Sequence, residues 1–456
     1  MNATIKKRID FTEGTLLKKM FFFAVPMILS AFLQLLFNAV DVAVVGKFAD
    51  TIYQSAVGAT SSSIHLIVNL LIGISIGANV AMATAFGARD EDRQSRIVHT
   101  SMALSMVGGV GIAIFGILIT KPLLVALDTP DEVLPYAVTY MQIYFLGAPA
   151  NVVYNFGASL FRAIGETKKP LAYLFVAGVI NVAINIITVV FLDMNVVGVA
   201  LGTIISQYVS AIWVVYDLIK EQSPAKYDIK RTRFHKKELL RILYLGIPTG
   251  INSAMFSIGN MLIQSAINTY GPTIMAGNTV STNIDGFVDA FSLSFGNVTL
   301  TVIGQNIGAR KIERIRKSMG AGAILSVLSQ FLCGLVIMVF GRFLFGLYNS
   351  DIEVIKIAQL RSYFVSMPYF LVVGITIFTA GLRGMGFSTT PMLVNLVFTC
   401  LFRIFWMTVV YPLKPCLEMI FIVYPTTWVL SGVCMAILFF FFENRFKKKF
   451  LLETNA

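Results

Sequence analysis

Met20 to Lys47 reads MFFFAVPMILSAFLQLLFNAVDVAVVGK. The run is long enough to cross a bilayer, which takes about 20 apolar residues. It nevertheless carries a carboxylate, Asp41, well inside. Hydrocarbon penalises a charge at that depth by roughly 2.5–3.5 kcal/mol on insertion scales, so such residues tend to be kept for a task. Gln34 and Asn38 precede Asp41 by seven and three residues and share one side of a helix with it. Pro26, earlier in the run, predicts a kink or a locally opened turn. The stripe reads as half of a cation and substrate pathway.

The rest of the chain is of the same kind. Of its 456 residues, 56% are hydrophobic and 13% charged, and the mean hydropathy is +0.77. A soluble protein would carry about 25% charged residues. Continuous apolar runs recur throughout, which implies an all-α polytopic membrane protein and excludes the alternating pattern of a β-barrel. Twelve spans are expected, near 20–46, 55–83, 98–119, 133–160, 170–192, 195–219, 240–269, 275–304, 318–341, 353–381, 391–411 and 416–442. The first run follows a polar segment and is much longer than a signal-peptide core, so a cleavable signal is not expected. Cys333, Cys400, Cys416 and Cys434 lie in apolar runs without a C-x-x-C pair and read as core residues. His65, His99 and His235 are scattered, which argues against a metalloenzyme.

Charge sets the orientation. Of the 36 basic residues, 29 fall in the N-terminal segment, every second loop and the C-terminal segment, and five in the opposite loops. Arg361 and Arg403 lie deep inside spans, which completes the 36. The positive-inside rule places both termini in the cytoplasm and accounts for the net charge of +12 without nucleic acid. The longest hydrophilic stretch, KEQSPAKYDIKRTRFHKKELLR from Lys220 to Arg241, reads as a cytoplasmic linker. A lipid-headgroup or regulatory patch is the weaker alternative. The expected organisation is a six-helix bundle over 1–219, a linker over 220–239 and a second six-helix bundle over 240–456.

The halves repeat each other. RAIGETKKP at 162–170 matches RGMGFSTTP at 383–391, and GARDEDRQSR from Gly87 matches GARKIERIRK from Gly308, both offset by 221 residues. Pro26 and Pro248 align at 222. Six spans is an even number, so the repeat is parallel. The bundles should be related by a pseudo-two-fold axis along the membrane normal, with the site in the cleft between them.

Few polar groups in the spans can carry chemistry. Asn181 and Asn185 are four apart in the fifth span, and Thr203 and Gln207 four apart in the sixth. A carboxylate with amide and hydroxyl oxygens suits a proton or sodium; the alternative is interhelical hydrogen bonding alone. In the second half, Asp285 lies about ten residues into its span, near the membrane centre at about 1.5 Å per residue. Asp289 follows one turn later, and Asn260 and Gln264 form another polar pair in the seventh span. Two such acids attract organic cations; the alternative is an ion pair with Arg361 or Arg403. The loops with Gly, Pro and Arg read as structural. Nucleotide-binding and hydrolase motifs are lacking, so no enzyme and no cofactor is expected.

Together these motifs resemble the Multidrug And Toxic compound Extrusion family of bacterial efflux transporters over essentially the whole chain. The carriers are VPM at 25–27, Asn38-x-x-Asp41, the GAR loop at 87–89, RAIGETKKP, Asn181-x-x-x-Asn185 and TIISQ at 203–207. In the second half they are IPTGINSAMFSIGNM, IGQNIGAR and RGMGFSTTP. The resemblance implies two bundles around a central cleft in a bacterial inner membrane. It implies a monomer exporting organic cations or drugs against inward sodium or protons. Asp41, Asn181 and Thr203 match the family's N-terminal cation site, with sodium possible at Asp41. Asn185 departs from it, standing where many members have a second aspartate. Gly246–Thr269 and Val354–Gly381 contain no Asp or Glu, so the family's alternative acidic site looks absent. Asp285 resembles an eighth-span aspartate of many members.

The expected function is therefore multidrug antiport. Asp41, Asn181, Asn185 and Thr203 would couple the ion, and Gln34, Asn38, Asn260, Gln264, Asp285 and Asp289 would bind substrate. The alternative is a lipid-linked saccharide flippase of the same broad superfamily, for which Arg361 and Arg403 are the only intramembrane cations available to meet a pyrophosphate.

Overall fold

The computed structural model describes residues 8–48, 51–127 and 129–455. Among these residues the chain is helical with no strand, as expected where backbone groups have no water to bond. The helices are α1 (Leu16–Phe48), α2 (Thr51–Gly87), α3 (Glu91–Ala126), α4 (Leu134–Leu146), α5 (Ala148–Ala163), α6 (Lys168–Asn185), α7 (Asn195–Ile219) and α8 (Lys236–Asn268). They continue as α9 (Pro272–Gly308), α10 (Glu313–Gly346), α11 (Ile352–Phe364), α12 (Val372–Gly384), α13 (Thr389–Asn395), α14 (Phe402–Phe405), α15 (Leu417–Phe421) and α16 (Val423–Asn455). Wider π-helical turns follow α6 at Ile186–Phe191, α13 at Leu396–Leu401 and α14 at Trp406–Val410.

Eleven stretches among the described residues are long and apolar enough to cross a membrane. The expected fourth span, near 133–160, is divided into α4 and α5 at Gly147. Pro149 enters the first turn of α5 without an N–H to donate, so the ladder is interrupted there. Gly147 also leaves room for a neighbour, because a Cβ there would stand 2.6 Å from Gln207 Oε1. The tenth span is divided in the same way, by a 3₁₀ turn at Met367–Leu371 containing Pro368.

The sequence repeat reappears in the backbone. Arg89 and Arg310, the arginines of the two GAR loops, both take left-handed conformations, with φ of 54° and 59°. Gly165 and Gly386, the central glycines of the two R-x-x-G loops, have φ of 86° and 94°. That region favours glycine, and at Gly165 a Cβ would also meet Ile9 O at 2.3 Å.

By internal contacts the chain forms two units, Met1–Asp10 with Leu29–Gly250, and Phe11–Ile28 with Ile251–Ala456. Membership thus changes inside α1 and inside α8, shortly after Pro26 and Pro248, rather than at the hydrophilic segment near 220–239. In the first unit, α8 enters through two glycine pairs. A Cβ on Gly73 would lie 2.3 Å from Gly250 Cα, one on Gly77 2.4 Å from Ile242 O, and one on Gly246 2.6 Å from Ile74 Cα. G-x-x-x-G on α2 thus crosses G-x-x-x-G on α8, and the close backbone approach supplies the packing that hydrophobic burial cannot supply in lipid. In the second unit, Phe11 is fully buried and stacks edge-on against Phe23 of α1, with centroids 5.0 Å apart. Gln305 Oε1 accepts from Phe11 N at 3.2 Å, and Arg314 Nη2 donates to Phe11 O at 3.1 Å.

The segment between α7 and α8 is pinned to the first unit. Tyr227 is 1% exposed. Asp228 N donates to His99 Nε2 at 3.1 Å, and His235 N donates to Thr100 Oγ1 at 3.1 Å. Glu221 pairs with Arg8 at 2.6 Å, and Glu238 pairs with Arg93 at 3.5 Å. These contacts make it a fitted strap, which a sequence without apolar periodicity does not disclose.

Candidate functional site

In the first unit, α1, α6 and α7 meet around Asp41. Asn185 Nδ2 donates to Asp41 Oδ1 at 2.6 Å. With its amide oriented to satisfy both ends, Asn181 donates to the same oxygen at 2.8 Å and accepts from Thr203 N at 3.3 Å. Asn181 is 5% exposed and Asn185 fully buried. Their spacing of one turn puts both amides on the α1 side of α6. Gly202 makes the approach of α7 possible, since a Cβ there would stand 2.0 Å from Asn185 Oδ1. Asn185 Oδ1 itself has no hydrogen-bond partner among the described residues. Thr203 contributes its peptide N–H, while its hydroxyl donates to Val199 O of its own helix at 3.0 Å. Tyr140 and Tyr144 of α4 lie within electrostatic range of Asp41. They are the members of this cluster that the sequence reading missed, although their four-residue spacing marks a shared face. Gln34 and Asn38 lie on the exposed side of α1.

The arrangement has a definite chemistry. Two amide donors converge on one carboxylate oxygen and stabilise the anion. Asn185 Oδ1, against Gly202 of α7, is left without a donor among the described residues.

The acids of the second unit are differently placed. Asp285 of α9 is 6% exposed and forms an ion pair with Arg361 of α11, itself 4% exposed. Ser366 donates to Asp285 Oδ1 at 2.5 Å, and Arg361 Nη1 donates to Ser281 Oγ at 2.8 Å. Asp289 accepts from Tyr369 OH at 3.1 Å. Arg403 is 1% exposed, and its Nη1 donates to Asn260 Oδ1 at 2.7 Å. The Arg403 guanidinium lies 4.9 Å from the centroid of the Tyr424 ring, and that of Arg361 lies 5.8 Å from the same ring. Gln264 does not join Asn260; it accepts from Asn278 Nδ2 and donates to Asn268 Oδ1, both at 2.8 Å. The structure therefore gives Asp285 the intramembrane arginine that was the alternative to a substrate role, and leaves Asp289 with a tyrosine. Among the described residues, no group of three or more His, Cys, Asp or Glu is placed to hold a metal ion.

Comparison with known proteins agrees with this architecture. The MatE family description matches residues 26–187 and again 248–409. Probable multidrug resistance protein YoeA of Bacillus subtilis (strain 168) is 26% identical over 386 residues, covering 83% of either chain. Probable multidrug resistance protein NorM of Thermotoga maritima is 25% identical over 395 residues, covering 83% of this chain and 82% of the relative. A solved MOP superfamily transporter from Pyrococcus furiosus superposes with a TM-score of 0.91 at 19% identity, over 97% of this chain and 99% of the other, a likeness of fold. The two family matches fall on the two repeats, and members of the family are transporters rather than enzymes. This multi-pass membrane chain belongs to the MatE family.

Proposed function

We propose that the chain is a monomeric antiporter of the bacterial inner membrane. Both termini face the cytoplasm, and the chain exports organic cations or drugs in exchange for inward sodium or protons. The coupling ion loads at Asp41, held by Asn181, Asn185 and the neighbourhood of Thr203. The observation that carries this reading is one part-buried carboxylate in a membrane span, met by two amide nitrogens from a second helix. Such a group is costly to keep in lipid unless it is used. The names of relatives as multidrug resistance proteins support drug export. A ligand shifts a conformational equilibrium only by its difference in affinity between the states, and a carboxylate whose neighbours rearrange supplies such a difference. Asn260, Gln264, Gln34, Asn38 and Asp289 remain proposed substrate contacts. Asp285 is proposed to act there through its ion pair rather than as a free anion.

The test is transport by purified protein in liposomes, with sodium and proton gradients imposed separately. Drug movement should follow one gradient and collapse in Asp41→Asn while the variant still folds. Full transport by Asp41→Asn would refute the role. A dependence on neither gradient would refute ion coupling.

A further inference from the structure

We propose that the strap between α7 and α8 is a docking surface for anionic phospholipid headgroups of the adjoining leaflet. The proposal depends on the chain spanning a membrane and is independent of what is transported.

Two kinds of side chain stand out from the same short segment. Ile229 is 62% exposed and Phe234 46% exposed. Lys230, Arg231, Arg233, Lys236 and Lys237 around them are all exposed. The two acids close by are largely engaged: Asp228 pairs with Arg231 at 3.4 Å, and buried Glu238 pairs with Arg93. A surface of cations around bare apolar side chains is poorly suited to water and well suited to the boundary between headgroups and acyl chains. Juxtamembrane basic clusters are drawn to anionic lipid.

The display is rigid. A 3₁₀ turn at Ile229–Arg231 is closed by Asp228, whose side chain accepts from Lys230 N at 3.0 Å. Tyr227 is buried beneath it and its hydroxyl meets Thr232 Oγ1 at 2.6 Å. Arg233 Nε donates to His235 Nε2 at 3.1 Å. The strap also runs directly into an apolar stripe on α8, where Leu240, Tyr244 and Ile247 are exposed at a spacing of four and three residues. On a membrane-spanning helix an exposed apolar stripe suits lipid, and the strap runs straight into it. The braces of the strap are made by other side chains than Lys230, Lys236 and Lys237, which leaves these three available for lipid.

The experiment is hydrogen exchange over 226–237 in the full chain, in nanodiscs of phosphatidylcholine alone and with a third of the lipid replaced by phosphatidylglycerol. Anionic lipid should slow exchange in the strap. The combined substitution Lys230→Gln, Lys236→Gln, Lys237→Gln should weaken the effect by about fivefold per charge removed. Ile229→Ser with Phe234→Ser should reduce it while exchange in the helices stays unchanged. Equal exchange in the two lipids would overturn the proposal. So would an effect that survives the triple lysine substitution, or one reproduced by inorganic phosphate in solution, which would mark a soluble-anion site.

Discussion

The two halves hold related positions at the same depth of the repeat but fill them with opposite charge. The offset of 222 that aligns Pro26 with Pro248 also aligns Asn38 with Asn260 and Asp41 with Ile263. The offset of 221 aligns Thr203 with Tyr424 and sets Arg403 opposite Val182, beside Asn181. Where the first unit has a carboxylate served by two amide donors, the second has a guanidinium served by an amide oxygen and an aromatic ring. The second unit thus carries its own cation. The first has an anion without a basic partner in its cluster, which is why we propose that the coupling ion loads there. A buried charge needs a partner, and whether the partner is a residue or a mobile ion separates a structural site from a working one.

That contrast can be broken most sharply at Arg361. Arg361→Met leaves Asp285 buried without its counterion and should cost about 3–5 kcal/mol of stability, read as a lowered unfolding midpoint in detergent. Adding Asp285→Leu to it should recover most of the loss. No recovery would mean that the pair is valued for something other than mutual neutralisation. Arg403→Met removes a charge whose hydrogen-bond partner, Asn260, is neutral, so the cost should be smaller, about 1.5–3 kcal/mol, with ion coupling retained. Loss of coupling at unchanged stability would place the working ion in the second unit after all. Asn185→Asp should sharpen the contrast further. It replaces the amide that now donates to Asp41 with a second carboxylate beside it, and should bind a cation more strongly. Sodium-dependent transport should then become detectable or increase, measured in the same liposomes.

The smallest effect expected is one of pH on the strap. His235 lies below its ordinary value of 6.5, first through burial and then through Arg233, Arg96 and His99, with Glu238 opposing. Its Nε2 accepts from Arg233, and His99 Nε2 accepts from Asp228 N. Protonation of His235 turns its acceptor into a donor facing the Arg233 donor. Because the value in the folded form is depressed, this anchoring is complete above the ordinary value and is lost as pH falls through the lowered one. The protection factor over 220–238, observed exchange against the intrinsic rate at each pH, should fall a few-fold between about pH 7.5 and about pH 5.5. His235→Gln, which keeps an amide oxygen as acceptor in place, should blunt that change.

Much of this could be read from the residues alone. Apolar run length disclosed the spans, and the recurrence of R-x-x-G-x-x-x-x-P disclosed the repeat, down to glycines with the same left-handed backbone. Helical spacing put Asn181 and Asn185 on one face, because that depends only on backbone geometry. Other features depend on which helix lies opposite. Thr203 could bond Asp41 or its own Val199, and only packing decides which. The partners of Arg361 and Arg403 are far away in sequence. The crossing of Gly73 and Gly77 with Gly246 and Gly250 was invisible for the same reason: a glycine pair marks a close approach without naming the other helix.

The π-helical turns mark where the two halves agree and where they part. Ile186–Phe191 follows Asn185 in the first half, and Trp406–Val410 occupies the corresponding stretch of the second. A π-turn amounts to one extra residue accommodated within a helix. The second half has one more, at Leu396–Leu401, where the offset of 221 finds ordinary α-helix in the first half, at 175–180. The backbone repeat therefore holds at one turn and breaks at the other, just ahead of buried Arg403. The extra turn and the extra buried cation stand together in the half that departs from its partner.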